Sequence, residues 1–288
     1  MRANKRYSRI AALFVLSILC GSANAVSLNA NQLLNEYNVL ILGDAILTSE
    51  IQGTAYVGGL LTGNFATINR SNLPDGSLGG SLVVGGDLTS ANLESGDALI
   101  GGAITGILNN NGGGTITTGA DIPVMEVENT LKNFSTSITS LSSTASLTVI
   151  ELTSAFFSNP NNANDLPMMF GPGTTLFNVS GVMVDTTGFN FNGAFSDVLF
   201  NFYEATNVLI GAAFGASILA PDADLQNIGG GINGTVVAAA LNNSFTSEFR
   251  DPIFTGTIVP LPAPLLLMLS GLAGLFITAK RKSKGVAQ

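Results

Sequence analysis

A short apolar run followed at once by two glycines recurs three times in the first half of the chain: Tyr56-Val57-Gly58-Gly59, Val83-Val84-Gly85-Gly86 and Leu99-Ile100-Gly101-Gly102. A strand that short cannot bury its own side chains. It needs layers stacked on it, with glycine where the backbone turns left-handed or is crowded by the next layer. The first glycines of the pairs lie 27 and 16 residues apart, so the repeat is irregular. The pattern predicts a solenoid of unequal coils around one core, with Asn- and Gly-rich turns such as Asn109 to Gly114 at the corners. A β-sandwich with glycine-rich hairpins is the alternative fold.

The rest of the chain fits around this repeat. Asn29 to Asn35 reads as a short helix with Leu33 and Leu34 on one side, and Tyr37 to Asp44 as a buried strand ended by a turn. The β pattern breaks at about 121–143, where Val127, Leu131, Phe134, Ile138 and Leu141 recur at spacings of four and three. That spacing lines one face of a long amphipathic helix laid against the β body. Asp121 is the expected N-cap, with Pro123 in the first turn and Glu126 and Glu128 near the positive end of the dipole. Strands are expected again at 147–152, 174–179, 181–184, 198–202, 207–210, 217–219 and 234–239, and 158–167 reads as a surface loop. Phe189, Phe191, Phe195, Phe200 and Phe202 concentrate aromatic side chains there; the alternation of Phe189 and Phe191 suggests one strand face, and core packing explains them.

Both ends carry targeting patterns. Arg2, Lys5, Arg6 and Arg9 precede the apolar run 10–19, and Ala23-Asn24-Ala25 is the small-x-small cleavage site of a secretory signal peptide over 1–25. Cleavage between Ala25 and Val26 would discard Cys20, the single cysteine, leaving no disulfide and no soft metal ligand. At the other end Val259-Pro260-Leu261-Pro262-Ala263-Pro264 leads into the apolar stretch 265–279 and then Lys280-Arg281-Lys282-Ser283-Lys284. Residues 259–279 number 21, enough to cross a hydrocarbon core of roughly 30 Å. Prolines end the preceding fold and open the helix, and the basic cluster stays cytoplasmic. A transmembrane helix is expected at about 261–279, followed by a basic tail, 280–284. The order of parts resembles the PEP-CTERM anchor of Gram-negative bacteria, with Leu261 where that name implies Glu. The resemblance implies exosortase-type sorting machinery as a partner, with Val259, Pro260 and Pro262 marking the processing region. A plain single-pass anchor is the alternative.

Between those ends only Arg70, Lys132 and Arg250 oppose all 19 acidic residues, a net charge of −16 on 26–258. Such a body repels nucleic acid and anionic lipid, and attracts cations and cationic surfaces. It is long enough for one sizeable core.

These stretches together resemble the choice-of-anchor A domain, a bacterial surface module. The matching residues in front are Tyr37-Asn38-Val39, Leu42-Gly43-Asp44, Ile51-Gln52-Gly53 and Ala55-Tyr56-Val57-Gly58-Gly59. Behind, they are Asn201 to Thr206, Ser217-Ile218-Leu219-Ala220-Pro221, Gly231 to Ala238, and Glu248 before Phe254 and Gly256. Arg250 stands where the pattern has His. The resemblance implies an adhesive domain over 26–258, built as a right-handed parallel β-helix with an accompanying helix, and it implies no catalytic residues.

Residue types bear this out chemically. Without His, and without a mature Cys, the common nucleophile-base pairs and most transition-metal sites are missing. A carbohydrate-active β-helix enzyme would have to use carboxylates, and Asp222 with Asp224 is the closest pair, on one side if extended. Calcium would suit Asp and Asn oxygens, but no Asp-x-Asp-x-Asp-Gly loop occurs, and solvated turns explain the acids. Ice binding would want a regular Thr face, whereas Thr115, Thr117 and Thr118 form one local cluster. The reading is therefore a non-enzymatic exported surface or matrix protein. It needs no cofactor, is held at the Gram-negative envelope or released after tail processing, and contacts extracellular polysaccharide through flat sides. The carboxylate enzyme and the ice-binding protein are its alternatives.

Overall fold

The computed structural model describes residues 28–243 and 247–260. The expected signal peptide, transmembrane helix and basic tail lie outside them. Among the described residues no helix is long and apolar enough to cross a membrane.

Helix α1 (Ala30–Glu36) opens the described chain, capped by Asn29, whose side chain accepts from the N–H groups of Asn31 and Gln32. Ten three-residue strands follow: β1 (Val39–Ile41), β2 (Ala45–Leu47), β3 (Ala55–Val57), β4 (Leu61–Gly63), β5 (Ala66–Ile68), β6 (Leu82–Val84), β7 (Ala91–Leu93), β8 (Ala98–Ile100), β9 (Leu108–Asn110) and β10 (Ile116–Thr118). After helix α2 (Val124–Ile138) come β11 (Leu147–Thr153), a short helical stretch around α3 (Asn162–Asp165), and the longer strands β12 (Thr174–Ser180), β13 (Met183–Asp185), β14 (Phe191–Asn201), β15 (Asn207–Ile210) and β16 (Phe214–Asn227). The described strands end with β17 (Ile232–Asn233), β18 (Val236–Asn243) and β19 (Phe249–Arg250). The protein is mainly β, and the pairings between these strands are parallel.

Three parallel ladders carry the body. The first runs β10-β8-β6-β3-β1-β18-β16-β14-β12-β11. A second runs β13-β15-β16-β18-β2-β4 and continues through the bridges Leu61↔Leu88 and Leu88↔Ile104. The third joins β5, β7 and β9 to β19 and β17 through bridges at Ile51. Strand β16 pairs within all three ladders, with a register shift between Ala220 and Asp224 where it bends. Inward rows such as Val184–Val208–Leu225–Leu241–Ala45–Leu61–Leu88 are buried along their length. In-register parallel pairing sets the partners about 4.8 Å apart. Phe177 and Phe200, paired across β12 and β14, accordingly stack with centroids 4.5 Å apart.

The glycine pairs sit where the layers press hardest. A Cβ on Gly58 would lie 2.1 Å from the Leu42 carbonyl oxygen, one on Gly85 2.2 Å from that of Gly58, and one on Gly101 2.3 Å from that of Gly85. None of these glycines has a positive φ, so close approach and not left-handed backbone demands them. Beside them Asp44 Oδ1 accepts from Leu60 N–H at 2.7 Å and Asp87 Oδ1 from Ala103 N–H at 2.8 Å, pinning each layer to the next.

The order of strands is not the order of the chain. β1 lies in the middle of the first ladder, between β3 and β18. From there the first half stacks outward to β10; the second half begins at the far end with β11 and returns through β12, β14 and β16 until β18 closes on β1. Helix α2 joins the two halves. With α1 it covers the outer face of the first ladder, burying Leu40, Tyr56, Val83, Leu176, Leu199, Leu219 and Val237 beneath Val127, Leu131, Phe134 and Ile138.

Three expectations need correction. The helix is shorter than 121–143, and its N-cap is Pro123, without a side-chain cap bond, in place of Asp121. Residues 158–167 lie at the surface as expected, with Ala163 and Leu166 buried, but they form short helical turns and not an irregular loop. Phe157, just before them, is buried at the same end of the core, where it meets Phe189, Phe200 and Phe202 edge-on. Asn/Pro composition is the same for an exposed turn and for an end plug, and only the apolar residues between tell them apart. Phe189, finally, is a turn residue ahead of β14, buried like Phe191.

Candidate functional site

Two ladder faces differ in what covers them. The first is roofed by helices; among the described residues no helix covers the outer face of the second. Its outward side chains form two rows across the strands. One row is Asp185–Leu209–Gln226–Asn242–Ile46–Thr62, the other Met183–Asn207–Asp224–Ala240. Met183 is 65% exposed and Ile46 41%. Where the rows adjoin, Met183, Asp185, Asn207, Leu209, Asp224 and Gln226 line a shallow pocket of about 160 Å³. Amides and carboxylates set between apolar side chains at ladder spacing suit a hydroxyl-bearing polymer, whose rings offer apolar faces and edges that donate and accept.

Asp222 and Asp224 lie on β16, both exposed, as an extended strand requires. They are nevertheless put to different uses. Asp222 Oδ1 is 2.9 Å from Lys132 Nζ, which also lies 2.9 Å from Glu128 Oε1, so this acid fastens α2 to the ladder. Those bonds, to Asp222 first and Glu128 second, raise the Lys132 pKa. Asp224 shares the pocket with Asp185, whose carboxylate accepts from Thr187 N–H at 2.8 Å. Among the described residues no three His, Cys, Asp or Glu side chains group as a metal site. Thr117 and Thr118 belong to β10, with Thr115 just before it, and all three are exposed at one end of the body. On the third ladder Arg70 pairs with Glu50, and Arg250 Nε with Glu248 Oε2 at 2.8 Å.

Of the processing positions, Ala25, Val26 and Pro262 fall outside the described residues. Val259 is 71% exposed. With Pro260 it lines a groove of about 590 Å³ between α1 and α2, beside Leu28 and Asn29. The Asn31 amide donates to Ile258 O at 2.7 Å and its Oδ1 accepts from Ile258 N–H at 2.9 Å. Thr235 Oγ1 donates toward the carbonyls of Leu34 and Tyr37 and accepts from Phe254 N–H at 3.1 Å. The two ends of the body are thus clipped together on the helix-covered face.

One functional feature escapes sequence reasoning. Asn201 Oδ1 accepts from Ser135 Oγ at 2.6 Å, and its amide donates to Ser135 O and to Asn178 Oδ1. Asn178 in turn donates to Glu151 Oε1 and Ile138 O. This buried amide ladder docks the C-terminal turn of α2. Its only trace in the sequence is an Asn amid the apolar residues of two strands, which becomes meaningful once those strands are known to be adjacent.

The family described as "Putative Ice-binding-like adhesive domain" matches residues 30–249. No curated protein and no solved structure matches this chain.

Proposed function

The chain belongs to the ice-binding-like adhesive domain family, and from that premise we propose that it is an exported surface adhesin whose second-ladder face contacts extracellular polysaccharide. The single observation that supports this reading is the asymmetry of faces. The ends of the body meet on the roofed side, so a tether attached there leaves the bare second ladder turned outward.

In this proposal the body is a choice-of-anchor A type domain wound as a right-handed β-helix. A signal peptide cut after Ala25 exports it through the inner membrane of a Gram-negative bacterium. A PEP-CTERM-like tail, handled by exosortase-type machinery near Val259, Pro260 and Pro262, holds it in the membrane or releases it to the matrix. It acts by contact and not by catalysis. Two tests apply. Deleting residues 259–288 should move the protein from the envelope to the medium, and retention would remove the tether from the account. The full chain should be retarded on immobilised host matrix polysaccharide; elution with the void volume would sink the ligand class.

Ice binding is the second reading, favoured by the family's description. The outward row mixes Asp185, Leu209, Gln226, Asn242, Ile46 and Thr62 instead of repeating Thr. Thermal hysteresis or inhibition of ice recrystallisation by the purified chain would establish it against this mixture.

A further inference from the structure

The two ends of the ladders are finished differently. At one, the turns around Phe157 and Leu166 plug the core. At the other, made by residues 104–120, the buried rows simply stop. The row Val39–Ala55–Leu82–Ala98 ends in Ile116, which is 38% exposed because no further layer of the described residues covers it, and Ile104 and Leu108 are only partly buried. Among the described residues strand β10 pairs on one side alone, with β8, and its three residues are exposed. Edge strands are normally blunted by charge, proline or a covering element. Among the described residues this one has no covering element, and between Asp97 and Asp121 the chain holds no charged residue and no proline. Gly113 and Gly119, at the rim, have nothing within 4 Å of a Cβ position.

We propose that this terminal layer pairs with the same layer of a second copy of the chain, β10 against β10 across a two-fold axis. The occupant follows from charge. Two bodies of net charge −16 repel over most of their surfaces, and the terminal layer, whose own residues 104–120 are uncharged although Glu94, Asp97 and Asp121 border them, is where that repulsion is weakest. A two-fold contact is self-complementary, placing Ile116 against the partner's apolar rim and giving the free edge a matching edge. The pair would join two adhesive bodies end to end, with a tether and a bare second ladder on each.

Sedimentation of the purified full chain tests this. Wild type should show a dimer that dissociates on dilution, while Ile116→Lys and Ile116→Glu should each be monomeric. Mixing the two variants should restore the dimer, since opposite charges then meet across the axis. If either fails to fold by circular dichroism, Thr118→Cys in a Cys20→Ser background replaces it, and oxidation should link two chains. A monomeric wild type, or an assembly equally present in Ile116→Lys and therefore driven by the apolar tail, would overturn the proposal. Polysaccharide retention is read separately, so loss of the dimer and loss of the ligand are distinguishable.

Discussion

At the scale of single residues the structure is governed by crowding and by burial of polar atoms. Gly85 has a carbonyl oxygen and Val124 Cγ2 within 2.6 Å of where a Cβ would sit, and the oxygen belongs to backbone that cannot swing aside. Gly85→Ala should therefore cost about 3 kcal/mol. Gly113→Ala, strained only by its φ of 72°, should cost about 1 kcal/mol, both read by denaturant unfolding. Equal costs would mean that the layers are not pressed together as described. Tyrosine gives a second contrast. Tyr37 OH accepts from Leu78 N–H at 3.2 Å, whereas Tyr56 OH is buried with no hydrogen-bond partner among the described residues. Tyr56→Phe removes an unsatisfied hydroxyl and should be neutral or stabilising; Tyr37→Phe should destabilise by about 1 kcal/mol. Burial raises both phenol pKa values, so the folded state keeps them neutral. The stability these groups contribute is fully present below the ordinary phenol value of 10.0 and is lost as pH rises above it. Unfolding by alkali should release both phenolates together, and Tyr56→Phe should make that transition less steep.

At the scale of elements the amide ladder under α2 is the feature most exposed to mutation. Asn201→Ala strands Ser135 Oγ and the Asn178 carbonyl oxygen in a dry place, and should cost about 2–3 kcal/mol. A cost within error of zero would show that apolar packing alone docks the helix. What the sequence disclosed about each element has a physical explanation. Glycine pairs were legible because backbone crowding leaves no other residue available. The stripe Val127, Leu131, Phe134 and Ile138 was legible because a one-sided roof must repeat with the helix; its start was not, since Asp121 and Pro123 are both acceptable there and the tertiary path decides. Asp222 and Asp224 could be placed on one side of a strand, but the capture of Asp222 by Lys132 depends on where α2 crosses β16. The exposure of 158–167 was legible from its Asn and Pro residues; its helical turns, and the burial of Ala163 and Leu166 beside Phe157, were not, since they depend on the core end beneath them.

At the scale of the whole molecule, the pairing of β1 with β18 could not be read from the chain, since nothing local records a contact between Val39 and Val236. It makes the body indivisible. A chain ending before β18 leaves β1 and β16 with bare edges and should not fold cooperatively, which circular dichroism and proteolysis would report. The same closure brings the two described ends of the body together on the roofed face, and the account of function depends on that placement. Its most direct test is attachment of host cells carrying the full chain to matrix-coated surfaces, compared between wild type and the double variant Gln226→Lys with Asn242→Lys on the bare second ladder. Both side chains are exposed, so fold and envelope level should be unchanged. The account predicts that attachment falls to that of cells lacking the protein; attachment at the wild-type level would contradict it.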